Sequence, residues 1–221
     1  MLRDDVLLAE FTLNVKKTHS EKLMPLVDKL LQESGVEREQ LQAIAVAAGP
    51  GSFTGIRIGV ATARALAQGL AIPAVGVPTL EALAEGVTAP GALICPLLDA
   101  RRNQVYTALY RRETGSAGGL ELLIPAAAVY LPPFLERLRQ YDEPVIFTGE
   151  GINSYADALV AALGDQACLS AGPLRVNRAA LVALRGRIHL AKQPEPGYGE
   201  LLPLYLRRPE AERRLEERGS K

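Results

Sequence analysis

Ala47-Ala48-Gly49-Pro50-Gly51-Ser52-Phe53-Thr54-Gly55-Ile56-Arg57-Ile58-Gly59 decides how this chain is read. Ahead of it, Leu41 to Ala48 is a short apolar run with Ile44 and Val46, the pattern of a buried strand. Behind it, Thr54 to Leu70 lacks proline and is rich in Ala, Leu, Ile and Arg, which predicts a helix. The glycine turn between them places Ser52 or Thr54 to cap that helix. A strand, a glycine turn and a helix N-terminus can cradle an anion, because free backbone N–H groups and the helix dipole point the same way. Two readings stand: a phosphate-binding turn, drawn on Gly49, Gly51, Ser52, Thr54 and Gly55, or a tight connection that needs glycines for packing. The Walker pattern is excluded, since no Gly-Lys-Ser/Thr follows, and Pro50 and the glycine spacing exclude a dinucleotide fingerprint.

The predicted helix has a second property. Gly55, Gly59, Ala63 and Ala67 recur every four residues, and Ala61, Ala65 and Gly69 make a second small-residue row. Such faces let another helix approach closely. A mid-helix glycine costs about 1 kcal/mol relative to alanine, so close approach is expected to offset that cost. Packing inside the same domain accounts for these rows equally well.

The run Gly49 to Gly59, then Ala63-Arg64-Ala65-Leu66-Ala67 and Val75-Gly76-Val77, resembles the TsaB (YeaZ) family. Asp99-Ala100-Arg101-Arg102 with Val105-Tyr106, and Leu202-Pro203-Leu204-Tyr205-Leu206-Arg207, extend the resemblance over nearly the whole chain. It implies an α/β, actin-like (ASKHA, sugar-kinase/Hsp70-type) two-lobed ATPase fold, with mixed sheets flanked by helices. It also implies the dimerisation subunit of the bacterial complex that makes threonylcarbamoyladenosine in tRNA. The implied partners are the catalytic subunit TsaD, in a heterodimer, and the ATPase TsaE. tRNA would be met only through that complex. No tightly bound cofactor is implied; ATP or ADP would sit, if anywhere, at the interface of the assembled complex.

The chain has 221 residues, of which 48% are hydrophobic, enough to bury a sizeable core. No apolar run approaches a membrane span, and the acidic Met1-Leu2-Arg3-Asp4-Asp5 start is unlike a signal peptide. Cys95 and Cys168 lie far apart in apolar segments and read as small core residues in a reducing, cytoplasmic setting. Lys plus Arg and Asp plus Glu number 25 each, so the net charge is zero. A protein that grips nucleic acid alone usually carries a basic excess. A subunit is therefore favoured over a stand-alone tRNA enzyme.

Asp5 to Asn14 predicts a strand. Family members begin with an extra strand ending in Asp-Thr-Ser; here it is expected to be missing through a truncated reading frame. Met1 would fall near the hairpin turn and a sheet edge would be left unpaired. Thr18 three residues ahead of Glu21 fits a capping box for a helix with Leu23, Leu26, Val27, Leu30 and Leu31, stopping near Gly35. His19 reads as a surface or capping residue. After the central helix come a strand at Ala74–Val77 and a short helix from Thr79. In TsaD the place of Thr79 and Leu83 carries a His-x-x-x-His metal pair, and neither residue here can ligate a metal usefully.

Leu93–Leu98 and Val105–Tyr110 predict a hairpin whose turn sets Asp99 against Arg101 and Arg102, read as a local ion pair rather than an anion site. Ala117-Gly118-Gly119 reads as a turn, Leu120–Ile124 as a strand and Pro132–Tyr141 as a helix. Pro144–Thr148, Gly149-Glu150-Gly151 and a helix to Leu163 form a second strand–glycine–helix unit, read as a packing turn because Glu150 would repel an anion. The last helix, Asn177 to Ala191, is expected to be capped by Asn177, to face inward with Leu181, Leu184 and Ile188, and to carry a lone structural His189. Pro194, Pro196 and Gly197 end it. The division expected is 1–85 for an N-terminal lobe, 86–206 for a C-terminal lobe and 207–221 for a charged, disordered tail.

No nucleophile elbow, Cys–His pair or metal cluster emerges from the spacing, so no catalytic residue is assigned. The expected role is a non-catalytic partner subunit that supports TsaD. Its partner surface would be Glu21–Glu33 and Thr54–Leu70, through Leu23, Val27, Leu30, Gly55, Gly59, Ala63 and Ala67. A homodimer through the same helices is compatible. The alternative is an independent ATP-binding phosphotransferase or glycoprotease-like peptidase of the same superfamily. Against it, Gly49–Gly55 contains no carboxylate for a metal.

Overall fold

A computed structural model describes residues 1–13, 19–115, 119–193 and 197–207. The central stretch folds as read. Strand β3 (Ile44–Gly49), helix α2 (Phe53–Leu70) and strand β4 (Ala74–Pro78) make a β–α–β unit with β3 and β4 parallel, Ile44 beside Ala74 and Ala47 beside Val77. Helix α2 buries Ile56, Val60, Ala63 and Ala67 against Ala74 and Leu201. Helix α1 (His19–Ser34) packs on α2 and ends at Gly35, whose φ of +63° suits a residue without a Cβ.

The second sheet has five strands in the order β7-β6-β5-β8-β9. Its strands are β5 (Leu93–Asp99), β6 (Gln104–Arg112), β7 (Leu120–Tyr130), β8 (Val145–Thr148) and β9 (Ala167–Leu169). β5 and β6 form the expected antiparallel hairpin, and β5, β8 and β9 run parallel. One sheet face is covered by α4 (Leu131–Arg139) and α5 (Ile152–Leu163), around Phe147, Leu138 and Leu159. The other meets α3 (Thr79–Glu85) through Leu80, Leu83 and Ile94. Helix α6 (Ala179–Ala191), which the linear division assigns to the C-terminal lobe, packs on β3 and β4. Gly186 permits this: a methyl there would collide with Ala45 Cβ and lie 3.3 Å from Val75 Cγ1. Among the described residues no helix is long and apolar enough to cross a membrane.

Several expectations change. Among the described residues of Asp5–Asn14 only β2 (Val6–Leu7) is strand, paired with β1 (Leu2–Arg3), so the turn lies at Asp4 (φ +52°) and not at Met1. Val6 and Leu7 are 62% and 44% exposed, because no larger sheet lies beside them. The β3 edge away from β4 has no strand neighbour among the described residues. It faces a cleft of about 670 Å³ lined by Leu8, Ala45, Ala183 and Leu190. β7 continues past Ile124 to Tyr130, since Pro125 lies on an edge strand, where a missing N–H is tolerated. The short β9 carries Cys168 on the sheet edge, exposed, whereas Cys95 is buried as expected and its thiol is pushed up to about 12 by burial.

Asn177 does not cap α6. The helix starts at Ala179, and Glu10 takes over: its carboxylate accepts the Ala180 N–H at 2.9 Å and pairs with Arg178. The buried side of α6 is Val182, Arg185 and Gly186, with Leu181, Leu184 and Ile188 only half-buried. The Thr18 capping box, Ala117 and Gly118 of the expected turn, Pro194, Pro196 and the tail beyond Arg207 lie outside the described residues.

Candidate functional site

The glycine turn is built as a helix start. Ser52, not Thr54, is the cap: its Oγ accepts the Gly55 N–H at 3.4 Å and its carbonyl accepts the Ile56 N–H at 2.9 Å. Gly49 has φ +127°, and a methyl there would collide with the Leu204 carbonyl oxygen. The segment 201–207 passes over the turn and is held by the Leu204 N–H on the Ala48 carbonyl at 2.7 Å. The first glycine is thus demanded by close passage of the chain's own backbone. Gly51 and Gly55 are not: a methyl at either would make only ordinary contacts, with Ile56 and Ser52 respectively. Gly51, Ser52 and Thr54 are exposed at the helix start. Beside them Arg57 lies 4.3 Å over the Phe53 ring and donates from Nε to the Tyr205 hydroxyl at 3.1 Å.

The second glycine turn is a packing turn, as read. Gly149 has φ +95° and lies against the Leu97 carbonyl, which also accepts the Gly151 N–H at 3.0 Å.

The two small-residue rows of α2 part company. Ala63 and Ala67 are 4% and 0% exposed, inside the chain's own core, so they offer nothing to a partner. Gly55 and Gly59 are half-buried, and a methyl on Gly59 would meet Val46 at 3.4 Å. Ala61, Ala65 and Gly69 are exposed. On α1, Leu23, Val27 and Leu30 are half-buried and Met24 is 43% exposed. The structure packs α1 against α2 and leaves Ala61, Ala65 and Gly69 exposed on α2, where Ala63 and Ala67 are turned into the core. Their spacing was visible in the sequence; their exposure was not.

His189 is not alone. Its Nε2 lies 2.9 Å from Glu81 Oε1 on α3, and Glu81 also pairs with Arg185. Arg185 Nη1 lies 3.5 Å from Glu85 Oε2, and Arg112 Nη1 lies 3.4 Å from Glu85 Oε1. Arg112 also donates to the carbonyls of Ala84, Glu85 and Val87, closing the C-terminus of α3. Glu81, Glu85, Arg112 and Arg185 are all buried or nearly so. Burial alone would raise the Glu81 carboxyl; the His189 hydrogen bond and the Arg185 charge outweigh it and hold Glu81 below its ordinary value. Burial, and then the Glu81 charge, push the Tyr110 phenol well up. The cluster joins α3 and α6 to β6. Its one sequence signal was the i, i+4 spacing of Glu81/Glu85 and of Arg185/His189.

Thr79 and Leu83 stand on the same short helix, both buried. At the β5–β6 turn, Asp99 Oδ1 accepts the Arg101 backbone N–H at 2.7 Å, so what the turn offers this carboxylate is the Arg101 main chain and not its guanidinium.

The chain is similar to known proteins in sequence and in fold. A family model described as TsaD, tRNA N6-adenosine threonylcarbamoyltransferase, matches residues 7–213. The chain is 38% identical to the tRNA threonylcarbamoyladenosine biosynthesis protein TsaB of Bacillus subtilis, over 96% of this chain and 90% of that protein. It is 34% identical to the protein of the same name from Escherichia coli, over 64% of this chain and 61% of that one. The solved structure of YeaZ from Pseudomonas aeruginosa superposes with a TM-score of 0.67 at 27% identity, covering 85% of this chain and 84% of that one.

Proposed function

Because the chain belongs to the TsaB (YeaZ) branch of the TsaD family and has its actin-like fold, we propose that it is the non-catalytic partner subunit for tRNA threonylcarbamoyladenosine synthesis. It binds TsaD through α1 and α2, and TsaE joins the pair. The observation that carries this reading is the outer face of those helices. Ala61, Ala65 and Gly69 are exposed and smooth on α2, and on α1, which packs against α2, Met24 is exposed and Leu23, Val27 and Leu30 are half-buried. A partner helix can seat closely on such a surface. The same face can pair two copies of this chain, so a homodimer competes with the heterodimer.

The chemistry belongs to the partner. Thr79 and Leu83 stand where the catalytic relative carries its metal pair, and neither side chain can take a metal's place in a ligand set. ATP or ADP belongs to the interface of the assembled complex, and tRNA is held through that complex in the cytoplasm.

Ala61→Arg with Ala65→Arg tests the reading. Both side chains are exposed, so the fold survives, whereas a bulky residue at Ala63 would break the core. The variant should melt like the parent and fail to co-elute with TsaD. Intact co-elution refutes the proposed face. Tight, magnesium-dependent ATP binding by the isolated chain, or tRNA modification without a companion, would favour the independent enzyme instead.

A further inference from the structure

We propose that Arg57 and Arg64 on α2 select the partner: they seat a helix that presents carboxylates, and they count against a second copy of this chain. This rests on the reading of α2 as a docking face, and it names the chemistry of the occupant.

Helix α2 contains two arginines and no Asp or Glu. Arg57 and Arg64 are both exposed. Seven residues is close to two turns, so they stand on one side of the helix, about 10 Å apart along its axis. Ala61 falls between them, four residues after Arg57 and three before Arg64, so positive charge flanks the smooth row.

Neither charge serves the helix itself. Complementing the helix dipole calls for acids in the first turn and bases in the last, and α2 has neither. Stabilising pairs at i, i+4 need a carboxylate, which α2 lacks. Arg57 is nonetheless held in place. It lies 4.3 Å over the Phe53 ring and donates from Nε to the Tyr205 hydroxyl, and the Phe53 and Tyr205 rings are 5.3 Å apart. Both partners are uncharged, so these contacts orient the guanidinium and leave its charge uncompensated. A side chain already ordered loses less entropy on binding. Arg64 has no hydrogen bond, ion pair or ring contact among the described residues.

A second copy fits this face poorly. An isologous contact between two α2 helices brings the same arginines back. Crossed antiparallel near Ala61, the Arg57 of one copy approaches the Arg64 of the other; parallel, each approaches its own counterpart. Helix α1 carries Glu21, Asp28 and Glu33 but also Lys22 and Lys29, so a second copy offers no wholly acidic helix in exchange. A helix with carboxylates about two turns apart answers both arginines while an apolar residue rests on Ala61. A nucleic-acid strand would use the arginines and leave the alanine row without a role.

The experiment titrates the full chain into TsaD by calorimetry at about 0.1 M and about 1 M KCl, where charges act over about 10 Å and about 3 Å. Arg64→Glu should melt like the parent and weaken TsaD binding about tenfold or more at the lower salt, and much less at the higher. Arg57→Lys, which keeps the charge, should bind more tightly than Arg57→Gln, which does not. Self-association of the isolated chain, followed by sedimentation, should not weaken in Arg64→Gln. Arg137→Glu, at an exposed position on α4, is the control and should bind like the parent. TsaD affinity in Arg64→Glu within about twofold of the parent overturns the inference, as does an equal loss in Arg137→Glu. Self-association that weakens in Arg64→Gln overturns it too, since a second copy would then supply the carboxylates. So does tRNA that binds the isolated chain and is released by Arg64→Glu, which would make the arginines a phosphate site. If the unaltered chain does not bind TsaD at either salt, it is the proposed function that falls.

Discussion

Removing Arg185 is the most telling perturbation of the buried ion cluster. Its guanidinium is 8% exposed and lies between Glu81 and Glu85, whose side chains are 12% and 11% exposed. Arg185→Met keeps most of the volume and leaves both carboxylates short of their shared cation. His189 remains for Glu81 and Arg112 remains for Glu85. Breaking a buried pair from one side costs about 3–5 kcal/mol. The remaining partners put this case at the lower end, about 3 kcal/mol. Glu81→Gln should cost less, about 1–2 kcal/mol, because Arg185 keeps Glu85 and the amide oxygen can still accept its hydrogen bond. The double variant is the sharper test. With both charges gone no ion is left stranded, so it should be more stable than Arg185→Met alone. Urea unfolding followed by circular dichroism, with a shared m-value, gives all three numbers. The reasoning fails if Arg185→Met costs under about 1 kcal/mol, or if the two single effects simply add.

Other expectations follow from the same contacts. Glu10 and Glu81 both titrate below their ordinary values, Glu10 because the Ala180 N–H and Arg178 outweigh its burial. A depressed carboxyl contributes stability that is fully present above its unfolded pKa of about 4.3 and is lost as pH falls through its lower folded value. Unfolding free energy should therefore drop below about pH 4.3, with a shallower drop in Glu81→Gln; an identical acid limb in that variant would contradict the assignment. A thiol reagent should label Cys168 in the native protein and reach Cys95 only on unfolding, which mass spectrometry of the labelled peptides decides. Gly186→Ala should destabilise, since its methyl collides with Ala45, at about 1–3 kcal/mol of overpacking against about 1 kcal/mol of helix propensity gained. Gly69→Ala, where a methyl meets nothing within 4 Å, should instead raise the melting temperature. Equal effects at the two glycines would mean that α6 does not sit closely on β3.

The central β–α–β unit was legible because its signals are local. Ile44 and Val46 mark a strand, Ser52 marks a helix start, and the proline-free run to Leu70 marks the helix. The β5–β6 hairpin and the turn at Gly149 were legible for the same reason. Val6 to Leu13 misled, since a run of apolar and β-branched residues by itself says nothing of whether a neighbouring strand is there to pair with. Asn177 misled because any Asn before an apolar run can cap; Glu10, far away in the chain, took that place.

From its amino acids alone, then, this chain settled its family, its alternation of strands and helices, and a helix paved with two rows of small residues. Tertiary structure decided which row faces out. Ala63 and Ala67 share the four-residue spacing of Ala61, Ala65 and Gly69, so periodicity cannot separate them; only the position of β4 and Leu201 beneath the helix does. It also brought Glu81 to Arg185, a pair about a hundred residues apart in sequence. Spacing along a chain fixes which side chains share a helix face. What each face meets depends on how the elements pack, and that is a property of the whole fold.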